Sequence, residues 1–263
     1  ADLTGVALEN EGLQQDMRRH ERLDRQMSTG AEIQAQLLPD RCPVIEGVEL
    51  AALCRPAFQV GGDYYDFIPL GDEEYIICIG DVSGKGISAA MLMANFQATI
   101  RTLFKYQRFE MSFLMEELNK LVMKSAKGEK FITFFLAHYN AYTRKMTYVN
   151  AGHNHPILLN GRKVTMLKDG CIGLGMLDEL PSIKVGKLVL NPNTTFVLFT
   201  DGVVELENES GEQFSVERLI KNVQAYSPLK MEDMNNIIFS KLEDWKGPLN
   251  YVDDTAIFSC KFF

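Results

Sequence analysis

Hydrophobic positions follow two different rhythms along this chain. Over residues 6–38 they recur every three or four positions among Glu, Gln, Arg and Met, with no proline before Pro39. That rhythm predicts one helix of about 33 residues, about 50 Å long at 1.5 Å per residue. A 3-4 seam runs through Leu13, Met17, His20, Asp24, Met27, Ala31, Gln34 and Leu38, apolar at its ends and polar in its middle. Two readings of the helix stay open: it lies on its own domain, or it is a weak coiled-coil stalk that joins two copies and leads to an upstream sensor.

After position 43 the pattern becomes short β-type runs broken by Gly, Asp and Asn. Ten candidate strands fall at 47–54, 64–70, 74–82, 132–140, 145–152, 155–161, 163–167, 182–190, 194–202 and 253–262. Helical spacing returns at 87–105, 111–125, 216–226 and 231–245. Strands in hairpin-like succession with helices inserted in pairs predict an α+β sandwich rather than alternating βαβ units. The expected organisation is a helical linker over 1–40 and a second unit over 41–263.

Composition narrows the function classes. At 263 residues and 46% hydrophobic content the chain can bury a large core. Its 35 acidic and 27 basic residues leave a net charge of −8, which argues against nucleic acid as partner. The five cysteines, Cys42, Cys54, Cys78, Cys171 and Cys260, are scattered without C-x-x-C spacing. Neither a disulfide framework nor a zinc site is suggested, and a reducing cytoplasm is expected. No apolar run approaches the roughly 18 residues that cross a bilayer, so no membrane association is expected. The chain starts without Met, as a fragment of a longer protein would.

The chemistry is carried by aspartates. The stretch "CIGDVSGKGISAAM" at 78–91 looks at first like a phosphate loop. It fails as one, because Ile79 stands where the first glycine is needed and Gly86 where a Ser or Thr is needed. What remains is Asp81 at the end of an apolar strand. Asp201 ends "TTFVLFT", Asp63 follows "VGG", and Asp253 with Asp254 opens the last strand. A lone aspartate at such a place is ordinarily a turn or helix-cap residue. Recurrence at several strand tips points instead to a shared cation, since a carboxylate beside a core is costly unless paired or metal-bound. Oxygen-only ligands suit Mg²⁺ or Mn²⁺, and a chain with only His20, His138, His153 and His155 is poorly equipped for zinc.

Five motifs occur in a telling order: "GGDYYD" at 61–66, "GDVSGKG" at 80–86 followed by "ISAAMLMAN", "NAGHNHP" at 150–156, "TDGVVE" at 200–205 and "DDTAI" at 253–257. In these the chain resembles the metal-dependent protein phosphatases (PPM), and within them the bacterial serine phosphatases of SpoIIE/RsbU type. The likeness extends from about residue 33, including "IQAQLLP", to the C-terminus. It implies a β-sandwich flanked by paired helices, with two Mn²⁺ or Mg²⁺ ions at one edge of the sheets. By motif, Asp81 would bridge both ions, helped by the Val82 carbonyl, while Asp201 and Asp253 would hold the second. Asp63 would act through bound water or as a state-dependent ligand. Asp254 is less favoured, because strand alternation turns it to the other side of the tip.

The implied reaction is hydrolysis of phosphoserine or phosphothreonine by metal-activated water, with Asp81, Asp201 and Asp63 as its catalytic carboxylates. Gly84 and Gly86 would let the backbone approach the ions. Lys85 would offer charge to the incoming phosphate, or is a solvated turn lysine. Three departures from the larger phosphatases stand out. Ser83 replaces a histidine two residues after the bridging aspartate. No arginine securely matches their phosphate ligand, leaving Arg55 as the candidate, and Ala256 replaces a threonine. His153 is the candidate leaving-group acid and substrate contact, or a tie between two strands.

The expected substrate, by resemblance, is a phosphorylated anti-anti-sigma regulator of the STAS type. The expected assembly is a homodimer through the N-terminal helix. The helices after "GKG" would relay sensor or partner input to the metal site. The alternative from another class is a catalytically silent phosphatase-like domain that only binds or signals. A hydrolase of small phosphoesters ranks below both, having no base-stacking or P-loop feature.

Overall fold

The structure, a computed structural model, describes residues 3–39, 45–71, 73–106 and 110–263. The most hydrophobic runs become strands covered on both faces, which is why they read as continuous rather than alternating. In β3 (Glu74–Val82), Ile77 and Ile79 pack into one core while Ile76 and Cys78 pack into another. In β10 (Thr194–Phe199), Phe196 and Leu198 share the first of these cores, and Val197 and Phe199 enter a third. Each such side chain contributes roughly 1.5–3 kcal/mol by leaving water.

The three cores are the three interfaces of a helix–sheet–sheet–helix stack. One sheet runs in the order β1 (Val48–Arg55), β11 (Thr255–Phe262), β10, β6 (Ile157–Asn160) and β7 (Lys163–Met166). The other runs β2 (Tyr64–Gly71), β3, β4 (Ile132–Asn140), β5 (Lys145–Ala151) and β8 (Gly170–Cys171), with β9 (Gly186–Val189) also on β5. Between the sheets Phe135 meets Phe196 with ring centroids 5.8 Å apart, and Tyr65 meets Phe258 at 5.6 Å. Helices α2 (Ile87–Tyr106) and α3 (Met111–Ala126) cover the second sheet, burying Met93, Phe96 and Leu118 against it. Helices α5 (Val216–Tyr226) and α6 (Met231–Lys246) cover the first with Leu219, Ile238 and Leu242. This is the α+β sandwich flanked by paired helices that the pattern predicted.

The long helix is also present, as α1 (Leu3–Ala35), ending three residues earlier than its hydrophobic rhythm. The chain tightens there, with Leu37 N–H donating to the Gln34 carbonyl at 2.9 Å, because the residue before Pro39 disfavours helix. Seam residues Leu13 and Met17 are exposed, and so is Leu23. Two small elements escape the sequence reading: α4 (Asp201–Val204) and the two-residue β8. Both are too short for a hydrophobic period to repeat. The candidate strand at 182–190 narrows to β9. Cys42 lies outside the described residues; Cys54, Cys78, Cys171 and Cys260 are not in disulfides. No helix among the described residues is long and apolar enough to cross a membrane.

Candidate metal centre

Topology explains why distant aspartates meet. Strands β2 and β3 form an antiparallel hairpin with Tyr64 opposite Gly80, so Asp63, just before β2, lies beside Asp81 near the end of β3. Strands β10 and β11 are likewise antiparallel, with Phe199 opposite Ile257. The end of β10, leading to Asp201, therefore adjoins the start of β11, preceded by Asp253 and Asp254. Sandwiching the sheets brings the two pairs of tips to one edge. Asp201 is not a strand residue as the sequence suggested but begins α4, after Thr200.

The cluster is short of positive charge. Burial first, and then the fields of Asp81 and Asp254, holds the Asp63 carboxyl well above the usual carboxylate range. Asp81 is raised by burial and then by Asp201, Asp253 and Asp254. Asp201 is raised by burial and by Asp253 and Glu205, with Lys85 opposing. Thr200 Oγ1 donates to Asp63 Oδ2 at 2.8 Å, but Asp63 Oδ1 is buried without a hydrogen-bond partner. Among the described residues no group of three or more His, Cys, Asp or Glu side chains is gathered closely enough to hold one metal ion by itself. Asp63 and Asp81 lie within side-chain hydrogen-bond reach of each other, and Asp201 and Asp254 act on both through their fields.

Glycines keep space in front of them. A Cβ on Gly62 would lie 2.9 Å from the Val82 carbonyl oxygen and 3.3 Å from Asp81 Oδ1. Asp254, the less favoured member of its pair, holds this loop: its carboxylate accepts the Ala57 N–H at 2.8 Å and the Gly62 N–H at 2.6 Å. Asp253, its neighbour, pairs instead with Lys85 at 2.9 Å. An oxygen-only donor set, an unpartnered buried carboxylate oxygen and a clear approach to the Val82 carbonyl fit a hard divalent cation of the Mg²⁺ or Mn²⁺ kind.

The remaining sequence candidates sit in different surroundings. Lys85 joins the cluster through Asp253 and also donates to the Val252 carbonyl. His153 is buried, its Nδ1 2.9 Å from Thr133 Oγ1 and its backbone N–H 2.7 Å from Asn150 Oδ1. Burial drives its pKa down to about 3, so it is neutral and has the contacts of a strand tie. The Arg55 guanidinium pairs with Glu243 and lies 5.3 Å from the Phe239 ring centre, both on α6.

Two supports were not singled out from sequence. Gln34, near the end of α1, grips Gly61 twice: its Nε2 donates to the Gly61 carbonyl at 2.7 Å, and its Oε1 accepts the Gly61 N–H at 3.0 Å. The available signal was a polar residue at a seam position. Asp66, fully buried in β2, accepts Arg101 Nε of α2 at 2.7 Å and Nη2 at 3.1 Å, together with the Tyr64 hydroxyl at 3.0 Å. That arrangement ties α2 to the strand that follows Asp63. A bidentate partner 35 positions away leaves no local mark in a sequence.

Comparisons with known proteins identify the family and the fold. The family profile described as "Stage II sporulation protein E (SpoIIE)" matches residues 71–263. The chain is 31% identical over 241 residues to phosphoserine phosphatase RsbU of Bacillus subtilis, covering 89% of this chain and 69% of that one. It spans less than half of two other curated relatives. In fold it is similar to the SiaA-PP2C domain of Pseudomonas aeruginosa (TM-score 0.81, 20% identity, 93% of this chain and 99% of that one). It is also similar to RsbX in complex with magnesium (TM-score 0.63, 15% identity, 85% and 99%). The chain therefore belongs to the SpoIIE family, the SpoIIE/RsbU-type branch of the metal-dependent protein phosphatases.

Proposed function

We propose that this serine/threonine phosphatase hydrolyses phosphoserine or phosphothreonine on a regulatory protein, using Mn²⁺ or Mg²⁺ held by Asp63, Asp81, Asp201, Asp253 and the Val82 carbonyl. The observation that carries the reading is the mutual influence of four carboxylates, Asp63, Asp81, Asp201 and Asp253, at one edge of the sandwich, with an Asp63 oxygen left unpartnered. When bound, divalent ions supply Lewis acidity that makes hydroxide available near neutral pH and offsets phosphoryl charge. The chain's own part is to hold its acceptors in place. Thr200 orients Asp63, and Asp254 keeps the Gly62 loop over the Val82 carbonyl. The half-exposed Asp253 and Lys85 leave this edge open to a protein substrate. With His153 buried and neutral, the proton for the departing serine or threonine oxygen comes from water or another residue at this edge.

Likeness to RsbU supports a STAS-type anti-anti-sigma phosphoprotein as substrate. Exposed Leu13, Met17 and Leu23 support α1 as a dimer stalk, with residues 1–40 as linker and 41–263 as the phosphatase unit. The deciding experiment measures hydrolysis of p-nitrophenyl phosphate and a phosphoserine peptide, with and without Mn²⁺, in wild type, Asp81→Asn and Asp201→Asn. Metal-dependent turnover lost in both variants is the expected result. A wild type that neither binds Mn²⁺ nor turns over would replace this reading with the silent signalling domain.

A further inference from the structure

We propose that Lys85 is a tethered cation that occupies Asp253 when no divalent ion is bound and yields it when one binds, thereby setting the site's metal affinity. The inference rests on the metal-dependent reading above. Lys85 stands between Gly84 (φ +83°) and Gly86 (φ +72°), a left-handed pair that turns the loop back across the sandwich edge. Its Nζ lies 2.9 Å from Asp253 Oδ2 and also donates to the Val252 carbonyl, so the ammonium spans from the second sheet's metal loop to the first sheet's. A carboxylate oxygen paired with an ammonium must give up that pair, or share it against repulsion, to face a divalent ion.

The pair is suited to exchange. Both side chains are about two-fifths exposed (41% and 42%), and ion pairs this wet are weak enough to be displaced. Lys85 also lies two residues before α2 begins at Ile87, so any shift of the α2 head carries the ammonium with it. Release of Asp253 would leave that ammonium free beside an anionic substrate. One side chain would then guard the empty site and attend the filled one.

The test is Mn²⁺ binding by calorimetry on the full chain, with turnover recorded separately. Lys85→Gln is expected to bind Mn²⁺ about two- to fivefold more tightly than wild type, the range a surface ion pair supplies. The gain should vanish in an Asp253→Asn background and shrink in about 0.5 M salt, where exposed charges are screened. Lys85→Arg, which keeps a tethered cation, should stay within about twofold of wild type. Unchanged or weaker Mn²⁺ binding by Lys85→Gln overturns the proposal, and does so in favour of a pure substrate contact if the KM for phosphopeptide rises. An equal gain with Asp253→Asn also overturns it. A wild type that binds no Mn²⁺ removes the metal reading, and this inference with it.

Discussion

Asp63 and Asp66 lie three residues apart at the start of β2, both buried, and the chain treats them in opposite ways. Asp66 has two contacts from Arg101, the Tyr64 hydroxyl and the Phe67 N–H at 2.9 Å. Asp63 has one hydroxyl, one orphaned oxygen and a ring of like charges. A satisfied buried carboxylate holds structure together, whereas an unsatisfied one among its own kind marks where a cation belongs. With Asp66 on β2 and Asp63 just before it, α2 is anchored close to the proposed metal edge.

The contrast can be broken experimentally, and the largest effect lies on the metal side. Asp81→Asn should lower kcat/KM for a phosphoserine peptide by on the order of 10³ while the circular dichroism spectrum stays native, since only charge at the metal edge is removed. Next comes the structural side. Asp66→Asn should destabilise the protein by about 1.5–2 kcal/mol in urea titrations, because the charge-assisted hydrogen bonds from the half-exposed Arg101 to a buried carboxylate are weakened. The matching change at Asp63, measured in chelator, should cost nothing or stabilise, as it relieves repulsion. Equal destabilisation at both positions would erase the distinction.

A third prediction uses His153, the buried titratable group outside both networks. Its pKa is lowered to about 3 in the fold, against about 6.5 unfolded, so acid protonates the unfolded chain first. Its contribution to stability is complete above pH 6.5 and is lost as pH falls toward 3. Relative to His153→Gln, wild type should lose about 2 kcal/mol between pH 6.5 and 4.5, a difference checked by denaturant titration at each pH. A smaller effect belongs to α1. Gln34→Leu removes two hydrogen bonds to Gly61 and should raise the Mn²⁺ concentration for half-maximal turnover by about tenfold, equivalent to roughly 1–1.5 kcal/mol. An unchanged Mn²⁺ response would detach the long helix from the site.

Much of this was legible in the chain because it is local. The runs at 74–82 and 194–199 had to be strands, being too apolar and too short for anything but burial on two faces, and they became β3 and β10. Asp81 and Asp201 were conspicuous because each ends such a run. What stayed hidden depends on partners far away in sequence. Lys85 meets Asp253 across 168 positions, Gln34 meets Gly61 across 27, and Asp66 meets Arg101 across 35. The residue types at these places are compatible with solvated turns and helix surfaces, so no local rule distinguishes them.

By itself, then, the sequence determined most of the secondary elements and the two-sided burial of the central strands, and it offered the donor types that suit a hard cation, because hydrophobic period and donor type are properties of neighbouring residues. Only the tertiary structure decided that Asp254 braces the Gly62 loop, that Asp253 is held by Lys85, and that His153 is closed off from solvent. Those assignments follow from how two hairpins meet at one edge. Which oxygen is satisfied and which is left wanting a partner is settled by packing in three dimensions.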